Sequence, residues 1–129
     1  MLLGVDIVEI ERFDELLKRR PNIVSKIFTP DEIDYCNSSV SPSKHFAARF
    51  AAKEAFIKAF GLGMYKMPFR SIEVKSSNKR VPSIGLTNQA CLGYLKDIAD
   101  QIESVALSIS HSKHSAVAVV IVDVKKDKQ

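Results

Sequence analysis

The sequence lacks several features that would mark a membrane, secreted or zinc-cluster protein. Its 129 residues contain no apolar run near the ~18 that a membrane-spanning helix needs, and no basic segment followed by an apolar one at the N-terminus. Its two cysteines, Cys36 and Cys91, do not have the spacing of metal ligands. Trp is absent, and there is no repeat or low-complexity linker. We therefore expect a single domain spanning residues 1–129, in the cytoplasm, with reduced thiols.

The charge of the chain is modest in total but unevenly distributed. The net charge is +4, yet the segment from Lys44 to Arg80 contains nine basic residues and two acidic ones. A basic surface predicts an anionic partner, such as nucleic acid, a phosphate-rich ligand or an acidic protein. The alternative is a solvated basic face that only keeps the protein soluble, and charge alone does not decide between them.

The order of apolar patterns and turn residues predicts the fold class. Residues 2–8 predict a buried strand, and a helix follows from about Glu9 to Arg19. Thr29-Pro30-Asp31-Glu32 has the pattern of a capping box and predicts a short helix. A long helix is predicted from Ser41-Pro42 to Phe60, with Gly61 ending it. Further strands are predicted at residues 71–76, 82–86, 104–110 and 116–124, and a helix capped by Thr87 reaches about residue 98. Hairpin-paired strands with inserted helices predict an α+β fold with a mainly antiparallel sheet and one long central helix.

Two acids lie on elements where burial of a charged side chain costs free energy. Asp6 is flanked by β-branched apolar residues in the first strand, and Glu54 lies in the long helix, so burial of either requires a partner. Acids from two distant segments could bind one hard cation, and Lys53 and Lys58 could bind the phosphates that often accompany it. The alternatives are an i,i+4 ion pair of Glu54 with Lys58, worth about 0.3–0.5 kcal/mol, and pairing of Asp6 with a buried arginine or a helix end. Helical spacing places Lys53 within the aromatic stripe, so its ammonium either extends outward or contacts an anion.

Three blocks of the sequence resemble the blocks of 4′-phosphopantetheinyl transferases. They are Gly4-Val5-Asp6-Ile7, the helical segment from Phe50 to Ala59, and Ser108-Ile109-Ser110-His111-Ser112. The helical segment is the most specific of the three, and the short chain is similar to the small single-domain type, the holo-acyl-carrier-protein synthases. The resemblance implies transfer of the phosphopantetheine arm of coenzyme A to a serine of an acyl carrier protein. Adenosine 3′,5′-bisphosphate is released, and the reaction supports fatty acid biosynthesis.

The resemblance also implies roles for individual residues. Asp6 and Glu54 match the metal-ligand acids, with magnesium expected and manganese as the alternative. Lys58 matches the lysine that faces the pyrophosphate. Glu54 is the candidate base for the serine proton, either directly or through a metal-bound water. The positions that match the surroundings of coenzyme A are Lys53, Lys58, Gly61 and His111.

An acidic carrier protein requires a basic surface on its partner. The arginines expected to bind the carrier are Arg12, Arg19, Arg20 and Arg49, although Arg49 could instead pair with an acid in the core. The family usually forms a trimer with sites between subunits, so a homotrimer is expected, without membrane or nucleic-acid partners. The alternatives are a small basic nucleic-acid-binding domain and a noncatalytic carrier-protein adaptor. The aromatic residues disfavour the first, since they have core spacing and are not interleaved with basic residues.

Overall fold

An antiparallel sheet packed against one long helix forms the centre of the fold. The computed structural model describes residues 1–61, 68–76, 81–87 and 94–126. Strands β1 (Leu2–Glu9), β5 (Ser115–Val124) and β4 (Ile102–His111) form a sheet in the order β1-β5-β4, and β2 (Ile72–Ser76) pairs with β3 (Pro82–Leu86) in a hairpin. All of these pairs are antiparallel. The helices are α1 (Ile10–Arg19), α2 (Val24–Ile27), α3 (Pro30–Asn37), α4 (Pro42–Ala59) and α5 (Tyr94–Gln101). The predicted α+β class with a long central helix is confirmed.

The predicted elements agree with the structure except for short helical turns. Two 3-10 turns, Pro21–Ile23 and Phe69–Ser71, and the single-turn α2 were not predicted, because segments of three or four residues carry no periodic signal. The helix predicted to end near residue 98 continues to Gln101, where β4 follows directly. The predicted turn at 77–80 and the start of the helix after Thr87 lie outside the described residues, as do residues 127–129.

Helix α4 packs closely on β1 because of one glycine. A Cβ atom at Gly4 would overlap the carbonyl oxygen of Ala55 and lie 2.9 Å from the backbone nitrogen of Ala59. Only glycine allows the strand backbone to approach the helix this closely. Asp6, two residues further along β1, lies on the same helix-facing side of the strand. The contact at Gly4 therefore determines how near Asp6 lies to α4.

The predicted burial of β1 holds for only one of its two faces. Its even-numbered residues face α4, whereas Leu3, Val5 and Ile7 are 64%, 54% and 68% exposed. Opposite them in β5 lie Ile121, Val119 and Val117, which share the outer face of the sheet. The helices cover only one face of this sheet, so its outer face presents a contiguous apolar surface. Over the described residues, no helix has the length and apolar character of a membrane span.

The start of α3 shows the predicted capping box. Thr29 Oγ1 accepts a hydrogen bond from the Glu32 backbone nitrogen, and Glu32 Oε1 accepts one from the Thr29 backbone nitrogen. The two donors would otherwise be unpaired at the helix end. Glu32 is nevertheless almost completely buried, which capping alone does not require.

Candidate active site

Asp6, Glu54 and Lys58 come together where β1 crosses α4. Lys58 Nζ lies 2.6 Å from Asp6 Oδ1, joining two residues that are 52 positions apart in the sequence. Glu54 lies one helical turn before Lys58, and its carboxyl group is close enough to Asp6 for Asp6 to raise the pKa of Glu54. The ammonium of Lys58 therefore binds the acid on the strand, which differs from the simple i,i+4 pair with Glu54 that spacing alone predicts.

The two carboxyl groups perturb each other strongly. Burial, followed by the hydrogen bond and the negative charge of Asp6, raises the pKa of Glu54 to about 7, while the charge of Lys58 opposes the rise. The hydrogen bond to Asp6 raises the pKa of Lys58. Asp6 Oδ2 is buried and has no hydrogen-bond partner among the described residues. Two ionised carboxylates cannot donate to each other, so a shared proton, a water or a cation would satisfy this oxygen.

The donor set fits a hard divalent cation that also binds substrate. Carboxylate oxygens are the ligands that magnesium prefers, and magnesium usually takes one or two of them together with waters and substrate phosphates. Among the described residues there is no cluster of three or more His, Cys, Asp or Glu side chains. The protein side of such a site would therefore consist of Asp6 and Glu54, with open positions left for phosphate oxygens.

Lys53, which the sequence predicts to bind the ligand, lies inside the core. Its side chain is fully buried, and Nζ donates to Glu32 Oε1 at 2.8 Å, to the Phe69 carbonyl at 2.9 Å, and to the Ile72 carbonyl. Burial lowers the pKa of Lys53, and the charge of Glu32 opposes that shift. An ammonium group has three donors, and all three are taken by protein acceptors. Of the two alternatives predicted from the sequence, an ammonium that extends outward or one that contacts an anion, the second is observed. The anion is Glu32, so we leave Lys53 out of the ligand set.

Arg49 is not on the surface with the other arginines. It is only 4% exposed, its guanidinium lies 4.0 Å from the centre of the Tyr35 ring, and Nη2 donates to Ser76 Oγ at 2.9 Å. Its expected role in carrier binding requires an exposed side chain, so we leave it out of the docking surface. The alternative pairing with a core acid is not seen among its described contacts, since the ring of Tyr35 and a hydroxyl take that place.

Two of the other predicted arginines line a groove beside Glu54. This groove, of about 620 Å³, lies between the end of β1, α1 and α4. Arg12 and Arg19 project from α1 into its wall, and Phe13 and Phe50 form its apolar floor, with their rings stacked 4.5 Å apart. Arg20 is exposed at the end of α1 but does not line the groove. The groove therefore places Arg12 and Arg19, together with the acid Glu9, on a surface that reaches Glu54.

Gly61 and His111 occupy the ends of their elements. Gly61 follows α4 with a φ of 68°, and its nitrogen donates to the Lys58 carbonyl, so it ends the helix as predicted. His111 is exposed at the end of β4, where it pairs with Ala116. Through β5 it lies in line with Val8 of β1 and on the helix-facing side of the sheet. Two strand spacings across and two residues along place its backbone about 12 Å from that of Asp6.

Sequence reasoning missed Glu32. The capping-box pattern explained this residue completely, so there was no reason to look for a second partner. The available signal was Lys53, a charged residue within an aromatic stripe, which indicates that some acid must be buried opposite it. Nothing in the local pattern identifies that acid, because the pair spans 21 positions.

Comparison with known proteins gives consistent matches along most of the chain. The model of the 4′-phosphopantetheinyl transferase superfamily matches residues 2–119. The holo-[acyl-carrier-protein] synthase of Syntrophus aciditrophicus (strain SB) is 38% identical over 128 residues, which cover 96% of each chain. The crystal structure of Helicobacter pylori holo-[acyl-carrier-protein] synthase in complex with coenzyme A is similar, with a TM-score of 0.80 and 33% identity, covering 95% of this chain and 100% of that one. The Neisseria meningitidis enzyme gives a TM-score of 0.82 at 30% identity, covering 95% and 99%.

Proposed function

Because the chain belongs to the 4′-phosphopantetheinyl transferase superfamily, we propose that Asp6, Glu54 and Lys58 form the centre of its transfer reaction. The protein transfers the 4′-phosphopantetheine group of coenzyme A to a serine of apo-acyl carrier protein and releases adenosine 3′,5′-bisphosphate. This is an enzyme activity that supports fatty acid biosynthesis. The observation that supports the choice of centre is the buried, unpartnered Asp6 Oδ2 beside Glu54, with Lys58 bound to the other oxygen of Asp6.

Magnesium is the proposed metal, with manganese as the alternative, and Asp6 and Glu54 are its proposed ligands. When bound, the metal would supply positive charge that offsets the negative charge of the pyrophosphate. The buried Asp6 Oδ2, which has no partner among the described residues and which a cation would satisfy, supports this assignment. Two ligand acids on different elements also explain why Asp6 is present in an otherwise apolar strand.

The chain's own residues then perform binding, orientation and proton transfer. The serine oxygen forms a bond to the phosphorus that carries the pantetheine, and the bond from this phosphorus to the bridging oxygen breaks. The electron pair leaves with the bisphosphate, and the proton of the serine hydroxyl goes to Glu54. In the metal-free protein burial raises the pKa of Glu54, and a carboxylate with a raised pKa is a stronger base than an ordinary one. The ammonium of Lys58, whose side chain is 56% exposed, stabilises the charge on the departing bisphosphate. Gly61 and His111 are the proposed contacts to the nucleotide part of coenzyme A.

The groove beside Glu54 is the proposed docking surface for the carrier. Arg12 and Arg19 on its wall, with Arg20 at the end of the same helix, would bind acidic residues of the carrier. Exposed charges of this kind mainly raise the association rate and set orientation. The apolar floor formed by Phe13 and Phe50 would accept an apolar part of the carrier or of the pantetheine arm.

A homotrimer is the proposed assembly. The outer face of the β1-β5-β4 sheet exposes Leu3, Val5 and Ile7 next to apolar residues of β5. Contiguous exposed apolar patches of this kind mark interaction surfaces. Sedimentation of wild type and of Val5→Lys tests this: a trimer that the variant breaks into monomers supports the assignment, and a wild-type monomer contradicts it. The cytoplasmic location inferred from the sequence stays part of the proposal.

Intact mass of the carrier tests the activity. Apo-carrier, coenzyme A and the protein are incubated with magnesium, with chelator, or without protein. We expect the carrier to gain one phosphopantetheine group only in the first mixture. A nucleic-acid-binding domain or a noncatalytic adaptor would leave the carrier mass unchanged, and an adaptor would still bind the carrier.

A further inference from the structure

A buried network joins Glu32 and Lys53 to three elements of the fold. The three donors of the Lys53 ammonium bind Glu32 Oε1 and the carbonyl oxygens of Phe69 and Ile72. Glu32 Oε1 also accepts from the Thr29 nitrogen at 2.9 Å, and Oε2 accepts from the Val74 nitrogen at 3.0 Å. The network therefore ties α4 to the start of α3, to the turn at Phe69–Ser71 and to β2. Both charges are fully buried and fully hydrogen-bonded, and the proposed chemistry uses neither.

The network holds α4 on the side opposite to β1. At about 100° per residue, Ala55 lies about 200° from Lys53 around the helix, and Ala55 is the residue against which Gly4 packs. Glu54 lies between these two directions, about 100° from each. The close contact at Gly4 and the ion pair of Lys53 together therefore fix the rotation of α4 about its axis. That rotation sets how far the carboxyl group of Glu54 lies from Asp6.

We propose that Glu32 and Lys53 are positioning residues for the active centre, whose buried ion pair holds Glu54 opposite Asp6. The inference rests on the function proposed above. A carboxylate that lies about 6–7 Å from a helix axis moves by about 1 Å when the helix rotates by about 10°. A misplacement of about 1 Å in an active site can lower the rate by about 100-fold.

The competing account is that the pair only stabilises the fold. Removal of one partner leaves an unpaired buried charge and destabilises strongly, whereas removal of both charges is often neutral or stabilising. The single variants Lys53→Met and Glu32→Gln therefore cannot separate the two accounts. The double variant Glu32→Gln/Lys53→Met can, because it removes both charges and the bonds of Lys53 to the Phe69 and Ile72 carbonyls together.

The test compares melting temperature, kcat and KM for both substrates. We expect the double variant to recover most of the melting temperature that the single variants lose, while kcat stays at least ~10-fold below wild type and both KM values change less than ~3-fold. As a control, Val122→Ala makes a cavity in the core at a buried position of β5 and should lower the melting temperature with kcat unchanged. Recovery of both melting temperature and kcat in the double variant would overturn the positioning role.

Three further variants keep the inference testable in every case. If the double variant does not fold, Lys53→Arg keeps the charge but changes the hydrogen-bond geometry, and we expect a lower kcat with little change in KM. A wild-type kcat for Lys53→Arg in that case would overturn the inference. Asp6→Asn and Glu54→Gln separate this inference from the proposed function: if they stay active, the proposed centre is wrong. If they are inactive while the double variant is fully active, only the positioning role is wrong.

Discussion

Replacement of Lys58 by methionine should lower turnover far more than stability. Methionine keeps the length and the helix propensity of lysine but removes its charge. The ion pair with Asp6 has a distance of 2.6 Å, with the lysine side chain 56% exposed and the aspartate almost buried. Exposed pairs contribute about 0.2–1 kcal/mol, and the loss of a partner for the buried Asp6 adds to that cost, so the melting temperature should fall measurably while turnover falls far more.

The effect on turnover follows from where charge develops. Charge on the departing bisphosphate grows as its bond to phosphorus breaks, so its interaction with the Lys58 ammonium strengthens along the reaction. Loss of one such group costs about 10²-fold or more in kcat, while binding of coenzyme A in its ground state changes less.

The assay measures bisphosphate release for kcat, calorimetry for coenzyme A affinity, and the melting temperature. Lys18→Met is the matched control, because Lys18 is a surface lysine 2.9 Å from Asp14 in an ordinary i,i+4 pair. This control should leave turnover unchanged. A Lys58→Met variant that is slightly destabilised but fully active would refute the reasoning and remove Lys58 from the site.

Three other predictions address different parts of the molecule. The raised pKa of Glu54 means that the folded protein binds more protons than the unfolded chain between about pH 4.5 and 7. The free energy of unfolding of the metal-free protein should therefore fall as pH rises through that window. Urea titrations should show a smaller fall for Glu54→Gln than for wild type. Arg12→Glu should raise KM for the carrier more than KM for coenzyme A. Added salt should raise KM for the carrier in the same way, since exposed charges are screened over about 8–10 Å. Carrier kinetics that do not depend on salt would contradict electrostatic docking. Gly61→Ala should cost about 1–2 kcal/mol in urea unfolding, because φ is 68° and, apart from the chain neighbours, no atom of the described residues lies within 4 Å of the new Cβ. An unchanged midpoint would contradict it.

The fold could be predicted because its helices and strands have a clear periodicity of apolar residues and clear capping or terminating residues. The alternation in β5, the capping box at Thr29 and the glycine after α4 each determine a local feature without help from the rest of the chain. The outer face of β1 was not predictable in this way. An apolar strand has the same sequence whether a helix or another subunit covers its second face, so Val5 gives no sign of its exposure.

The site could be predicted where burial of a charged side chain costs free energy. Asp6 in an apolar strand requires a partner, and the structure supplies Lys58 and Glu54. The long side chains of Lys53 and Arg49 were harder to place, because a flexible stem can direct its charge outward or into the core. Their positions depend on partners that are distant in sequence, Glu32 for Lys53 and Tyr35 for Arg49.

The rate of bisphosphate release as a function of magnesium concentration, in wild type and in Asp6→Asn, tests the central claim most directly. The substitution preserves shape but removes one ligand charge, and circular dichroism establishes that the variant is folded. We expect wild type to saturate with magnesium, and the variant to be slower by about 10²-fold or more at limiting magnesium. Equal rates for the two proteins at limiting magnesium would contradict a metal shared by Asp6 and Glu54.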